Sequence, residues 1–198
     1  VIAAINKYNM IEKNDTIVVG VSGGADSMAL LYFLLNENYG LGVKTVVVHI
    51  NHCLRGEESD RDEKFVSDYC KNNGVLFYSC RADIKSEANK LGISIEDCGR
   101  KIRYNYFSEI AEKYNAKIAT AHTLSDSIET TVFNMIRGTG IKGLSGIAPV
   151  RGKIIRPLIF ATRSQIEEYC VENRIDYITD SSNLCYDYTR NKIRLDII

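Results

Sequence analysis

Thr16-Ile17-Val18-Val19-Gly20-Val21 runs without a break into Ser22-Gly23-Gly24-Ala25-Asp26-Ser27 and then into Met28-Ala29-Leu30-Leu31-Tyr32-Phe33-Leu34-Leu35. A β-branched run that stops at a serine and two glycines, followed at once by apolar helix formers, reads as strand, tight loop and helix N-terminus. Junctions of this kind bind anions. Paired glycines reach backbone angles closed to other residues and let main-chain N–H groups converge, while the helix start adds unsatisfied donors and a partial positive charge.

What the loop lacks narrows the chemistry. A Walker loop needs a lysine next to its last glycine, and no lysine occurs between Asp15 and Lys44. Gly20, Gly23 and Gly24 do not have the spacing of the dinucleotide fingerprint. Asp26 stands in the loop instead. A carboxylate beside a polyphosphate is repulsive unless a divalent cation lies between them, so Asp26 points to Mg²⁺ shared between carboxylate and phosphate oxygens. The hexapeptide Ser22, Gly23, Gly24, Ala25, Asp26, Ser27 resembles the SGGxDS loop of the PP-loop ATP pyrophosphatases, which adenylate a substrate and release pyrophosphate. The plain alternative is a Ser/Gly-rich turn that binds nothing.

Outward from the loop, the elements alternate. Residues 2–11 suggest a short helix, 43–50 (VKTVVVHI) a parallel strand buried on both faces, and 75–80 (VLFYSC) a third strand after a helix carrying Phe65, Val66 and Tyr69. A long helix is expected over 94–114, a strand over 117–121, a helix over 124–137, an edge strand over 154–160 because of Pro157, and a helix opened by the capping box Thr162-Arg163-Ser164-Gln165. The pattern predicts an α/β fold with a doubly wound, mostly parallel sheet and helices on both faces. In such sheets ligands sit beyond the carboxyl ends of the strands, which gathers Ser22–Ser27, the segment 49–55 and the segment 122–126 into one crevice. The glycines of 138–146 predict a loop that is mobile or tightly approached, of the kind that closes on substrate.

Composition excludes several classes. The 198 residues suit one domain, with 151–198 read as a C-terminal extension of it, and 25 basic against 25 acidic residues leave no global field for nucleic acid or membrane. Six cysteines without a C-x-x-C pair argue against zinc ribbons and redox motifs and fit reduced thiols in a cytoplasmic protein. No apolar run approaches a membrane span. The start on Val1 and the close on Ile197-Ile198 in helical pattern suggest an excerpt of a longer chain.

Eight segments in order, the loop, VHINHCLR (48–55), RKIRYNYF (100–107), AHTLSDSIET (121–130), RGTGIKGLSGI (137–147), RPLI (156–159), DSSN (180–183) and RNKIR (190–194), resemble the tRNA(Ile)-lysidine synthetase family. The resemblance implies ATP-dependent ligation of free L-lysine to C2 of the wobble cytidine of tRNA(Ile), with ATP and Mg²⁺ as cofactors and no membrane partner. It implies pyrophosphate contacts from Ser22, Gly23, Gly24, Ala25 and Ser27, and Mg²⁺ on Asp26 and Asp126. Lysine must react as a free amine, which at pH 7 costs about 4.6 kcal/mol of deprotonation from a pKa of about 10.4. Asp126 or Glu129 is the expected carboxylate beside it. His49, Asn51, His52 and His122 are candidates for base contacts, and Arg55, Arg100, Arg103, Arg190 and Arg194 for phosphate or base contacts. Glu96, Arg100 and Arg103 also fit a solvated helix face with its own ion pairs. Zinc on His49, His52 and His122 is disfavoured, since no cysteine is spaced to join them.

One departure stands out: Thr123, Ser125 and Ser127 occupy positions where the family has His, Asp and Gln. Two rivals remain on the residues alone. A PP-loop tRNA thiolase would want a cysteine pair or cluster ligands. A non-catalytic nucleotide-binding module would share the sheet.

Overall fold

The computed structural model describes residues 1–36, 40–140 and 144–179. After a short helix α1 (Ile2–Lys7), the chain lays down β1 (Thr16–Gly20), α2 (Ala25–Asn36), β2 (Lys44–Asn51), α3 (Glu57–Asn72), β3 (Leu76–Arg81), α4 (Ile84–Leu91), α5 (Ile95–Lys113), β4 (Lys117–Ala119), α6 (Leu124–Ile136), β5 (Val150–Arg151), β6 (Ile154–Ile155) and α7 (Arg163–Glu172). The sheet order is β3-β2-β1-β4-β6-β5. All neighbours are parallel except the β5–β6 pair. The strand order reverses direction at β1, so the loop after β1 opens at the switch point of the sheet.

Alternation along the strands divides the core. Ile17, Val19 and Val47 face α2, α3 and α7 in one apolar cluster, whereas Val18, Val46 and Val48 face Phe107, Ile110 and Ala111 of α5 in another. Helix α2 is apolar almost all round because it lies between the sheet and α7: Leu30, Leu31 and Leu34 are fully buried, and Tyr32 meets Tyr169 of α7 edge-on at 6.1 Å. Each such leucine contributes roughly 1.5–3 kcal/mol.

Two expectations change. Residues 154–160 do not form an edge strand. Pairing stops at Ile155, short of Pro157, and the preceding strand β5, joined to β6 by a turn through Gly152 (φ +58°), takes the edge and leaves β6 inside. Helix α4 was not expected. Asp83 caps it by accepting from the Ser86 N–H at 3.1 Å, and Gly92 (φ +63°) ends it. Of the glycine-rich stretch, Gly146 is tightly approached: a Cβ there would meet Thr131 Oγ1 at 3.0 Å. The segment 180–198, with DSSN, Arg190 and Arg194, and residues 141–143 lie outside the described residues.

Candidate active site

Strand β1 delivers its last residue, Gly20, under the ring of Phe107. Val21 then donates to Val48 O at 2.9 Å and the chain leaves the sheet. Gly23 turns at φ +98°, an angle that favours glycine, and its carbonyl accepts from the Ile178 N–H at 2.9 Å. Ser27 Oγ closes the turn, donating to Gly24 O at 2.9 Å and accepting from the Ser22 N–H at 3.2 Å. Ser22 Oγ lies 3.2 Å from Ser27 Oγ and 3.4 Å from the Gly24 nitrogen. These bonds give the loop its shape, and α2 starts at Ala25 with its N-terminus directed at the space in front of it.

That space is a crevice of about 820 Å³ beyond the carboxyl ends of β1, β2 and β4. Ser22, Gly24, Ala25, Asp26 and Ser27 line it from the first loop; His49, Asn51, His52 and Arg55 from the second; His122 and Asp126 from the third; and Arg103 from α5. Three segments far apart in sequence therefore meet as the sheet rule requires. Gly23, Glu129 and Arg100 are not part of the lining. Glu129 is buried within the fold at 4% exposure, and Arg100 is exposed, with its guanidinium over the Tyr104 ring at 5.2 Å.

Asn51 is committed to structure. Its amide nitrogen donates to Asp60 Oδ1 at 3.0 Å and Glu63 Oε2 at 2.9 Å, and its Oδ1 accepts from the Cys53 N–H at 2.9 Å. This leaves the carboxamide with the task of shaping the turn at Cys53 (φ +52°) that presents His52. Arg55 is held by Asp62 Oδ2 at 2.7 Å. Asp126 Oδ2 accepts from the Thr123 N–H at 2.7 Å and from Thr123 Oγ1 at 3.1 Å, so Thr123, one of the three divergent positions, anchors the carboxylate. Ser127, another, accepts from the Ile147 N–H at 3.1 Å and ties the glycine-rich segment to α6.

All three histidines are held below their ordinary pKa. His122 is pushed down to about 4 by burial first, opposed by Asp126 and reinforced by Arg156, Arg100 and Arg103. His52 falls to about 4, again by burial and then by Arg103 and His49. Burial also lowers His49, against the favourable contact with Val21 O. That contact, 2.8 Å from Nδ1 to a carbonyl that can only accept, puts the proton on Nδ1 and leaves Nε2 as an acceptor. Neutral imidazoles at pH 7 suit hydrogen bonding to a base and not phosphate neutralisation.

These shifts set a pH dependence. Between about pH 6.5 and 4 the unfolded chain takes up protons that the folded one refuses, so stability is full above 6.5 and is lost as pH falls towards 4, by up to roughly 3 kcal/mol for His122. Thermal melts across that range should show the fall, and His122→Gln should flatten it; an unchanged slope would mean that His122 titrates normally.

Donor chemistry fits Mg²⁺ shared with phosphates. Of the three carboxylates that line the crevice, Asp62 is paired with Arg55 and Arg61, which leaves Asp26 and Asp126 for a cation, and among the described residues no cluster of three His, Cys, Asp or Glu side chains forms an all-protein cage. Sequence reasoning missed Lys85, Tyr104, Arg163, Tyr177, Ile178 and Thr179, all in the lining. Of these, Arg163 had a signal, since it stands in the capping box that opens α7.

Residues 2–198 match the PP-loop domain, and the chain belongs to that family. It is similar to tRNA(Ile)-lysidine synthases of Clostridium tetani (48% identity, all of this chain, 43% of the relative), Bacteroides thetaiotaomicron (44%, all of this chain, 46% of the relative) and Petrotoga mobilis (40%, 98% of this chain, 62% of the relative). The chain thus spans about half the length of these relatives or somewhat more. Among solved structures it resembles the U34-tRNA thiolase of Methanococcus maripaludis, solved with its iron–sulfur cluster, at TM-score 0.73 and 20% identity over 96% of this chain and 68% of that one. A glutamine-dependent NAD⁺ synthetase of Acinetobacter baumannii, in complex with ADP, aligns at TM-score 0.55 and 14% identity over 86% of this chain and 31% of that one. Both likenesses concern the fold. No helix of the described residues is long and apolar enough to cross a membrane.

Proposed function

We propose that this chain is the ATP-binding, catalytic part of a tRNA(Ile)-lysidine synthase, one domain over 1–198 with 151–198 as its C-terminal extension, acting in the cytoplasm. The observation that carries the reading is a lysine-free glycine loop whose Asp26 shares one crevice with Asp126 and His122. Relatives of that name, 40–48% identical over essentially all of this chain, support it.

The reaction has two steps. Cytidine's C2 oxygen attacks the α-phosphorus of ATP, a new P–O bond forms, and pyrophosphate leaves with the electrons of the bond broken. Free L-lysine then attacks C2 through its amine, the C2–O bond breaks and AMP leaves. The protein contributes position and charge more than covalent chemistry. Ser22, Gly24 and Ser27 hold the pyrophosphate portion through N–H and hydroxyl groups, and Asp26 with Asp126 would hold Mg²⁺, which when bound neutralises the polyphosphate. Asp126, in the crevice, is better placed than Glu129 to keep the amine deprotonated. His49, His52 and His122, neutral at pH 7, offer hydrogen bonds to a base, and Arg103 offers charge for phosphate.

Product analysis tests the reading. With tRNA(Ile) and lysine present, ATP should yield AMP and pyrophosphate; ADP as the product would refute it.

A further inference from the structure

A loop with no lysine between Asp15 and Lys44 leaves the charge of a polyphosphate to be met from elsewhere in the fold. Of the cations that line the crevice, Arg55, Lys85, Arg103 and Arg163, the last is built into position at the loop itself. Arg163 is the first residue of α7, whose start is locked by Thr162 and Gln165: the Gln165 N–H donates to Thr162 Oγ1 at 3.3 Å and the Thr162 N–H to Gln165 Oε1 at 3.0 Å. Helix α7 is in turn seated on α2 through buried Ile166 and Cys170, with Cys170 Sγ 3.9 Å from Ala25 O, the first residue of α2. The guanidinium consequently stands at the loop. Its Nη1 is 3.7 Å from Asp26 Oδ2, its Nε donates to Glu167 Oε1 at 2.6 Å, and half of the side chain is exposed in the crevice.

Each of these distances has a use. Glu167 grips one edge of the planar fork, and the Nη edge lies on the side of the loop. At 3.7 Å the Asp26 contact is an ion pair without a hydrogen bond, an arrangement that exchanges partners readily. Another crevice arginine, Arg55, is spent on Asp62 at 2.7 Å and Glu58 at 3.7 Å.

We propose that Arg163 binds the pyrophosphate portion of the nucleotide from helix α7, the task a loop lysine performs in Walker sites, and that Glu167 orients it. This rests on the crevice being a nucleotide site. On binding, the fork moves from the Asp26 carboxylate to phosphate oxygens, for which its geometry is suited.

Calorimetric titration of the chain with ATP, AMP and inorganic pyrophosphate, each with Mg²⁺, tests it. Arg163→Met should weaken ATP and pyrophosphate by about 10–100-fold and leave AMP within about twofold, the range expected for one charge-assisted contact. Arg163→Lys should recover part of the loss with an unchanged melting temperature, and Glu167→Gln should weaken pyrophosphate less than Arg163→Met does. Equal ATP affinity in the wild type and Arg163→Met would overturn the proposal while the nucleotide site stands. Failure of the wild type to bind ATP or AMP would overturn the site reading and the proposal together. A loss shared by AMP and ATP with a lowered melting temperature would make Arg163 a docking residue of α7, contrary to the proposal.

Discussion

Asp26→Asn should weaken ATP binding in the presence of Mg²⁺ by about 100–1,000-fold, the scale of one charge–charge contact near a protein surface at an effective dielectric of about 20. In EDTA the sign reverses. Without a cation between them, the Asp26 carboxylate repels the polyphosphate, and asparagine removes that repulsion while staying close in shape. The substituted chain should then bind ATP as well as the wild type or better. Calorimetry with and without metal measures both arms. Equal weakening in both would mean that Asp26 shapes the loop and does not hold a cation.

The second large effect is on stability. Gly20 ends the central strand against Phe107, and a Cβ at that position would come within 2.7 Å of Phe107 Cε2, with Phe107 itself only 3% exposed. The ring cannot shift without disturbing its packing, because Phe107 belongs to the cluster with Val18, Val46 and Val48. Gly20→Ala should therefore cost about 1–3 kcal/mol and lower the melting temperature by about 3–10 °C. Adding Phe107→Leu should return part of that loss. An additive double substitution would show that the ring is not what excludes the methyl group.

Much of this layout was readable from the chain. The β-branched runs of β1 and β2 and the apolar α2 carry their own periodicity, and the switch-point rule then brings Ser22–Ser27, His49–Arg55 and His122–Asp126 together without coordinates. Local signals failed where the outcome depended on neighbours. Pairing of Ile154–Ile155 on both sides depends on the preceding Val150–Arg151, which no property of the run itself announces. Asn51 looks like any polar residue after a strand until Asp60, Glu63 and Cys53 claim its amide. Glu129 sits at helical spacing from Asp126, yet the helix turns it into the protein. Arg163 carried a helix-start signal and nothing more, since its meaning comes from the seat of α7 on α2.

The Ile178 N–H that reaches Gly23 O at 2.9 Å sews the end of the described chain to the turn that opens it functionally, across 155 positions of sequence. Tyr177, Ile178 and Thr179 form part of the crevice wall. The last described residues and the turn at Gly23 accordingly form one continuous wall, so a change that loosens 177–179 would reach that turn directly.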